Sequence, residues 1–110
     1  MRFLFSVIAN RDGEQFADPD EMEAIDAFND KIEAAGQRVI AVGIAGLDTA
    51  VLFDNRNDLN HISQSPAIDS EMYMAGFWII EADDVTTAHA LALEASKACN
   101  RLIEVRQIFH

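Results

Sequence analysis

The sequence predicts an α+β fold in which two helices cover one face of an antiparallel sheet. Two capped amphipathic helical segments, short runs rich in Val, Ile and aromatic residues between them, and the order of these segments along the chain carry that reading. With 110 residues the chain can bury one hydrophobic core and not two, so a single domain over 1–110 is expected. Its residues are 50% apolar and 25% charged, the balance of a chain that folds throughout.

The elements follow from local chemistry. Phe3 to Ile8 is an apolar and aromatic run ended by the polar NRDGEQ, which predicts a buried first strand. In DPDEMEAIDAFNDKIEAAG, Asp18 is placed to cap the free N–H groups of a helix, Pro19 suits its first position, and Glu21 completes a capping box. Met22, Ile25, Phe28 or Asn29, Ile32 and Ala35 recur at steps of three and four, and Gly36 supplies a left-handed stop. Gln37 to Ala45 predicts a second strand and Ala50 to Phe53 a short third one.

From Asp54 to Ser70 the composition turns to Asn, Asp, Ser, Gln and Pro, the longest irregular stretch of the chain. Met72 to Ile80 is the clearest strand. Asp83 or Asp84 then caps a helix from Val85 to about Asn100, with Val85, Ala88, Ala92, Ala95 and Cys99 as its buried stripe, and Leu102 to Phe109 closes the chain as a last strand. Strand, helix, strand, strand, strand, helix, strand is the order of a ferredoxin-like sheet. No repeat, low-complexity tract or linker interrupts it.

If both helices lie on one face, the other face should alternate to polar residues wherever it meets water. It does not: Phe77 and Ile79 point one way and Trp78 and Ile80 the other, while Phe3 to Ile8 and Val39 to Ile44 are apolar on both faces. A second surface must cover that sheet. In a chain of this size another copy is the simplest source, and a homodimer built sheet against sheet is expected.

Lys and Arg number 8 against 19 Asp and Glu, a net charge of −11, which repels phosphate backbones and anionic lipid headgroups. Nucleic acid and membrane surfaces are therefore not expected partners. The lone Cys99 makes no internal disulfide, MRFLFSVIAN is interrupted by Asn10, Arg11 and Asp12 before a signal-peptide core of useful length, and no segment reaches the roughly 20 apolar residues of a membrane span. A cytoplasmic location is expected.

HISQSPAID, His61 to Asp69, concentrates the chemistry-bearing residues. A histidine beside Ser63, Ser65 and Asp69 could act as a general base oriented by a carboxylate; the competing reading is a loop histidine that hydrogen-bonds locally. Neither serine sits in a glycine-rich nucleophile elbow, and a turn beside Pro66 accounts for both. His89 falls near the stripe of the second helix, where it could face a pocket between helix and sheet; the competing reading places it at the border of the core with its ring nitrogens satisfied locally. Cys99, near a helix C-terminus whose dipole disfavours a thiolate, reads as a small core residue. Phe77 and Trp78 could stack on a ligand, although core and dimer packing explains them as well. His110 is uninformative, no ligand spacing supports a metal, and no phosphate-cradling glycine loop or other cofactor motif is present.

DPDEM followed by AFNDKIEAAG, the stretch SPAIDSEMYMAGFWIIEADDVTTAHALA, and EVR at Glu104 to Arg106 together resemble, in order and spacing, the YCII-related family, in particular its DGPF branch. The resemblance spans most of the chain and implies a dimeric α+β barrel. Where the family signature has Asp, Gly, Pro, Phe, this chain has Gln64, Ser65, Pro66, Ala67, and Glu71 replaces the signature lysine. An ionisable acid has become a neutral amide, which transfers no proton but still positions a ligand by hydrogen bonds. The resemblance implies a small organic ligand in a pocket between sheet and helices, with Asn60 to Asp69 at its rim. His61 and Asp69 are then the candidate catalytic pair, with Ser63, Gln64 and Ser65 as ligand contacts. Because DGPF proteins are often associated with extracytoplasmic-function sigma factors, it equally implies a non-catalytic regulatory or interaction module.

Overall fold

The computed structural model describes residues 1–109. β1 (Arg2–Asn10) leads into α1 (Pro19–Ala34) and β2 (Arg38–Gly43). A short hairpin of β3 (Leu52–Asp54) and β4 (His61–Ser63) follows, then β5 (Met72–Glu81), α2 (Val85–Cys99) and β6 (Leu102–Gln107). Four strands form an antiparallel sheet in the order β2-β5-β1-β6, the ferredoxin-like order, while β3 and β4 pair only with each other.

Both helices begin as their sequences require. The N–H of Glu21 donates to Asp18 Oδ1 at 2.8 Å and the N–H of Asp18 donates to Glu21 Oε1 at 3.0 Å, a complete capping box. Asp84, rather than Asp83, caps α2 by accepting from the N–H of Thr87 at 2.7 Å. α1 ends at Gly36, whose φ of 71° lets its own N–H reach Glu33 O and that of Gln37 reach Ile32 O. Asn100 takes the same left-handed role after α2, with φ 52°.

Cross-strand register separates the two faces of the sheet. Ala41, Trp78, Phe5 and Val105 stand in one rung, and Ile80 and Phe3 in the next rung on the same side. Together with Phe28 and Ile32 of α1 and Ala88, Leu91, Ala95 and Cys99 of α2 they form one buried cluster, so both helices cover this face. Phe28 meets the Trp78 ring edge-on, with centroids 5.4 Å apart. The intervening rungs run Ile40, Ile79, Leu4, Arg106 and Val42, Phe77, Ser6, Glu104 on the face that carries no helix.

Several expectations shift. The third strand is Leu52–Asp54 rather than Ala50 to Phe53 and does not join the main sheet, because its partner β4 lies within the stretch expected to be irregular. The stripe of α2 is Ala88, Leu91, Ala95 and Cys99, with Ala92 partly buried against the core and Val85 exposed. His89 is exposed and away from the core border, and Met22 and Ala35 are exposed at the ends of the α1 stripe. The last strand stops at Gln107.

Phe5 is completely buried at the centre of the core. Phe5→Ala is expected to destabilise the chain by about 3–5 kcal/mol in urea unfolding. Leu93→Ala, at a position 77% exposed, should stay within about 0.5 kcal/mol.

Candidate functional site

Between α1 and the β2–β5 edge of the sheet lies a cavity of about 520 Å³. Small residues make room for it: the sheet side of the wall includes Ala41, Gly43, Ala75 and Gly76, where little side-chain volume is available to fill the space below the helix. Gly76 is required by the close approach of the strands, because a Cβ there would come within 2.6 Å of the Val42 carbonyl oxygen. β1 shifts register between Val7 and Ile8, next to the Val7–Gly76 pairing. Met22 and Ile25 of α1 form the roof, and Trp78 and Val7 the inner wall.

Four polar or ionisable side chains enter the wall: Gln15, Asn29, Cys99 and Arg101. Asn29 sits on the inward face of α1, where its Oδ1 accepts from Trp78 Nε1 at 2.8 Å. Gln15 Nε2 donates to the Ile44 carbonyl at 3.2 Å, tying the β1–α1 loop to the end of β2 across the mouth. Burial pushes the Cys99 thiol above its ordinary pKa, which leaves it a weak nucleophile.

Arg101 pins the back wall. Turned inward by the left-handed Asn100, its Nη1 donates to the Cys99 carbonyl at 2.7 Å and to Glu21 Oε2 at 3.3 Å, and its Nη2 donates to the carbonyls of Glu14 at 2.7 Å and Phe16 at 3.3 Å. Its side chain is 10% exposed and that of Glu21 16%. The Asp18 backbone N–H holds the Glu21 carboxyl below its ordinary pKa, with Asn100 and Arg101 acting in the same direction against partial desolvation. One guanidinium therefore fixes the loop that carries Phe16, using the planar fork a lysine lacks.

The residues singled out from the sequence lie elsewhere. His61 is exposed on β4, and its Nε2 is 2.9 Å from Ser63 Oγ. Asp69, with a side chain 82% exposed, pairs with Arg11 Nη1 at 2.7 Å, so within one chain it does not orient His61. Gln64 and Ser65 are exposed on the return from the hairpin. None of His61, Ser63, Gln64, Ser65 and Asp69 lines the cavity. The residues that do, Asn29 and Arg101 above all, left one signal in the sequence: a polar amide on the apolar stripe of the first helix. Among the described residues no group of three or more His, Cys, Asp or Glu is placed to hold a metal, and no helix is long and apolar enough to cross a membrane.

Among solved structures, the fold is similar to that of 5-chloro-2-hydroxyhydroquinone dehydrochlorinase (TftG) of Burkholderia phenoliruptrix AC1100, in complex with 2,5-dihydroxybenzoquinone. The match covers 100% of this chain and 95% of that one, with a TM-score of 0.60 and 18% identity. The α+β fold is shared. At that identity the likeness concerns the fold alone. No protein-family model matches the chain, and no curated protein matches it.

The lowered pKa of Glu21 fixes a sign for acid stability. Its contribution is fully present above the ordinary carboxyl range, about pH 4.3, and is lost as pH falls through its lower folded value. The melting temperature of Glu21→Gln should therefore fall less steeply than that of the wild-type chain between about pH 5 and pH 3, followed by circular dichroism.

Proposed function

We propose that the chain binds a small organic ligand in the cavity between α1 and the sheet, as a homodimer and a member of the YCII-related family. The cavity carries this reading. Its volume of about 520 Å³ falls in the range of small-molecule sites, and its apolar wall with a few convergent polar groups is their usual make-up. TftG acts on a hydroxyhydroquinone and holds a benzoquinone, which supports a ring-bearing ligand by analogy of fold.

Binding without catalysis is the reading favoured by the wall itself. Among the described residues its ionisable side chains are Cys99, whose thiol burial pushes above its ordinary pKa, and Arg101, whose terminal nitrogens are taken up by Glu21 and backbone carbonyls. His61, assisted by Ser63, Gln64, Ser65 and Asp69, serves as a base only if its hairpin meets a ligand, and a second copy is the remaining source of that encounter. The location proposed is cytoplasmic.

The homodimer is supported by the helix-free face. Its rungs place Ile40, Ile79, Leu4, Val42 and Phe77 side by side, with Ile40 39% and Val42 37% exposed. The only charges on those rungs are Glu104 and Arg106, paired with each other at 3.0 Å. Two chains of net charge −11 repel one another over most of their surfaces, and this neutral, apolar face is where they can meet.

Trp78 is the only tryptophan, so its fluorescence reports on the cavity. Small aromatic probes should change it saturably. Gly43→Phe, which adds a ring where a Cβ meets nothing within 4 Å, should abolish the change while the chain stays folded. A response that survives Gly43→Phe refutes the cavity site. Light scattering should give about twice the 12.2 kDa chain mass, and Ile40→Glu should return it to the monomer value.

A further inference from the structure

The Trp78–Asn29 contact fixes more than packing. An indole N–H only donates, so the Asn29 atom it meets is the carbonyl oxygen, and the orientation of the amide is settled by chemistry. The amide nitrogen is thereby turned to the other side. Among the described residues no acceptor meets Asn29 Nδ2, and no buried side-chain nitrogen or oxygen lacks a partner, so Nδ2 is a solvent-accessible donor on a residue that lines the cavity. Asn29 thus brings an oriented, neutral donor to a wall made mostly of apolar and aromatic groups.

The other side-chain nitrogens of the wall are tied, wholly or in part, to the protein itself. Both terminal nitrogens of Arg101 are engaged with Glu21 and with the carbonyls of Cys99, Glu14 and Phe16. Gln15, at the mouth of the cavity, spends one of its two amide N–H groups on the Ile44 carbonyl. An anionic ligand would find no free cation in the wall, inside a chain that already carries a net charge of −11. A cationic ligand would find no carboxylate lining it.

We propose that the cavity selects an uncharged ring compound bearing a carbonyl or comparable acceptor oxygen, which takes a hydrogen bond from Asn29 Nδ2 while Trp78 holds the amide in the donating orientation. This inference rests on the cavity being the ligand site. It names the ligand class and the residue that reads it, and gives Trp78 a positioning role.

Three matched probes test it: acetophenone, with a neutral acceptor; ethylbenzene, with none; and benzoate, with a negative charge. Binding is followed through the indole N–H resonance of Trp78. Acetophenone should bind about three- to tenfold more tightly than ethylbenzene, the gain from one neutral hydrogen bond, and benzoate more weakly than acetophenone. Asn29→Asp keeps an oxygen for the indole and removes the donor, so it should erase the preference for acetophenone over ethylbenzene.

Equal binding of ethylbenzene and acetophenone, tightest binding of benzoate, or a preference that persists in Asn29→Asp would each overturn the assignment while leaving the cavity as a binding site. If none of the three probes shifts the indole resonance, the cavity reading falls and this inference with it. Should Asn29→Asp fail to fold, the probe series on the wild-type chain alone still decides between acceptor, apolar and anionic ligands.

Discussion

A buried indole must keep its N–H hydrogen-bonded, and the placement of α1 on the sheet answers that requirement at Trp78. Trp78 stands in the central rung beside Phe5, is met edge-on by Phe28, and donates to Asn29 one residue further along the same helix. Two adjacent positions of α1 thus grip one side chain, one by ring contact and one by a hydrogen bond. Below that grip the helix packs on large residues. Towards Met22 the strands contribute several alanine and glycine positions, and there the cavity opens between helix and sheet. Core and cavity are two sides of the same contact.

Much of this fold was legible because its signals are local. The Asp18–Glu21 box, the Gly36 stop, the Asp84 cap and the apolar alternation of Met72 to Ile80 each depend on a few neighbouring residues. The hairpin was not legible, because strands of three residues are too short to show a period. The clue was the turn chemistry: DNRNDLN places Asn57, Asp58 and Asn60 at positive φ, tolerated by short polar side chains, between LFD and HIS. Read as a turn rather than a loop, it would have paired the two. The cavity was hidden for the opposite reason, since Ala41, Gly43, Ala75 and Gly76 define it by what they lack. HISQSPAID drew attention because titratable residues are conspicuous in a sequence whether or not they converge in space.

The polar side chains that shape the cavity are occupied with the protein's own backbone. Arg101 and Gln15 spend their donors on carbonyls of the β1–α1 loop and the end of β2, so these cationic and amide groups act as fasteners for the walls. The hairpin is the contrasting region. Its strands pack mainly on each other, and Phe53 and Ile62, paired across it, are 69% and 56% exposed. An isolated two-stranded hairpin is marginal in water, so its persistence depends on the Asp54–Arg56 ion pair and the Asn55–Asn60 hydrogen bond in its turn.

The sheet order has a consequence for how the chain is made. β1 lies in the middle of the sheet yet pairs only with Met72–Glu81 and Leu102–Gln107. On the ribosome its FLFSVIA stretch therefore emerges long before either neighbour exists, with both edges unpaired. Every rung of the core that includes Phe5 closes across a large sequence separation, which makes for slow folding. An apolar strand is thus made well before the segments that shield it, a burden that falls on chaperones rather than on the stability of the finished fold.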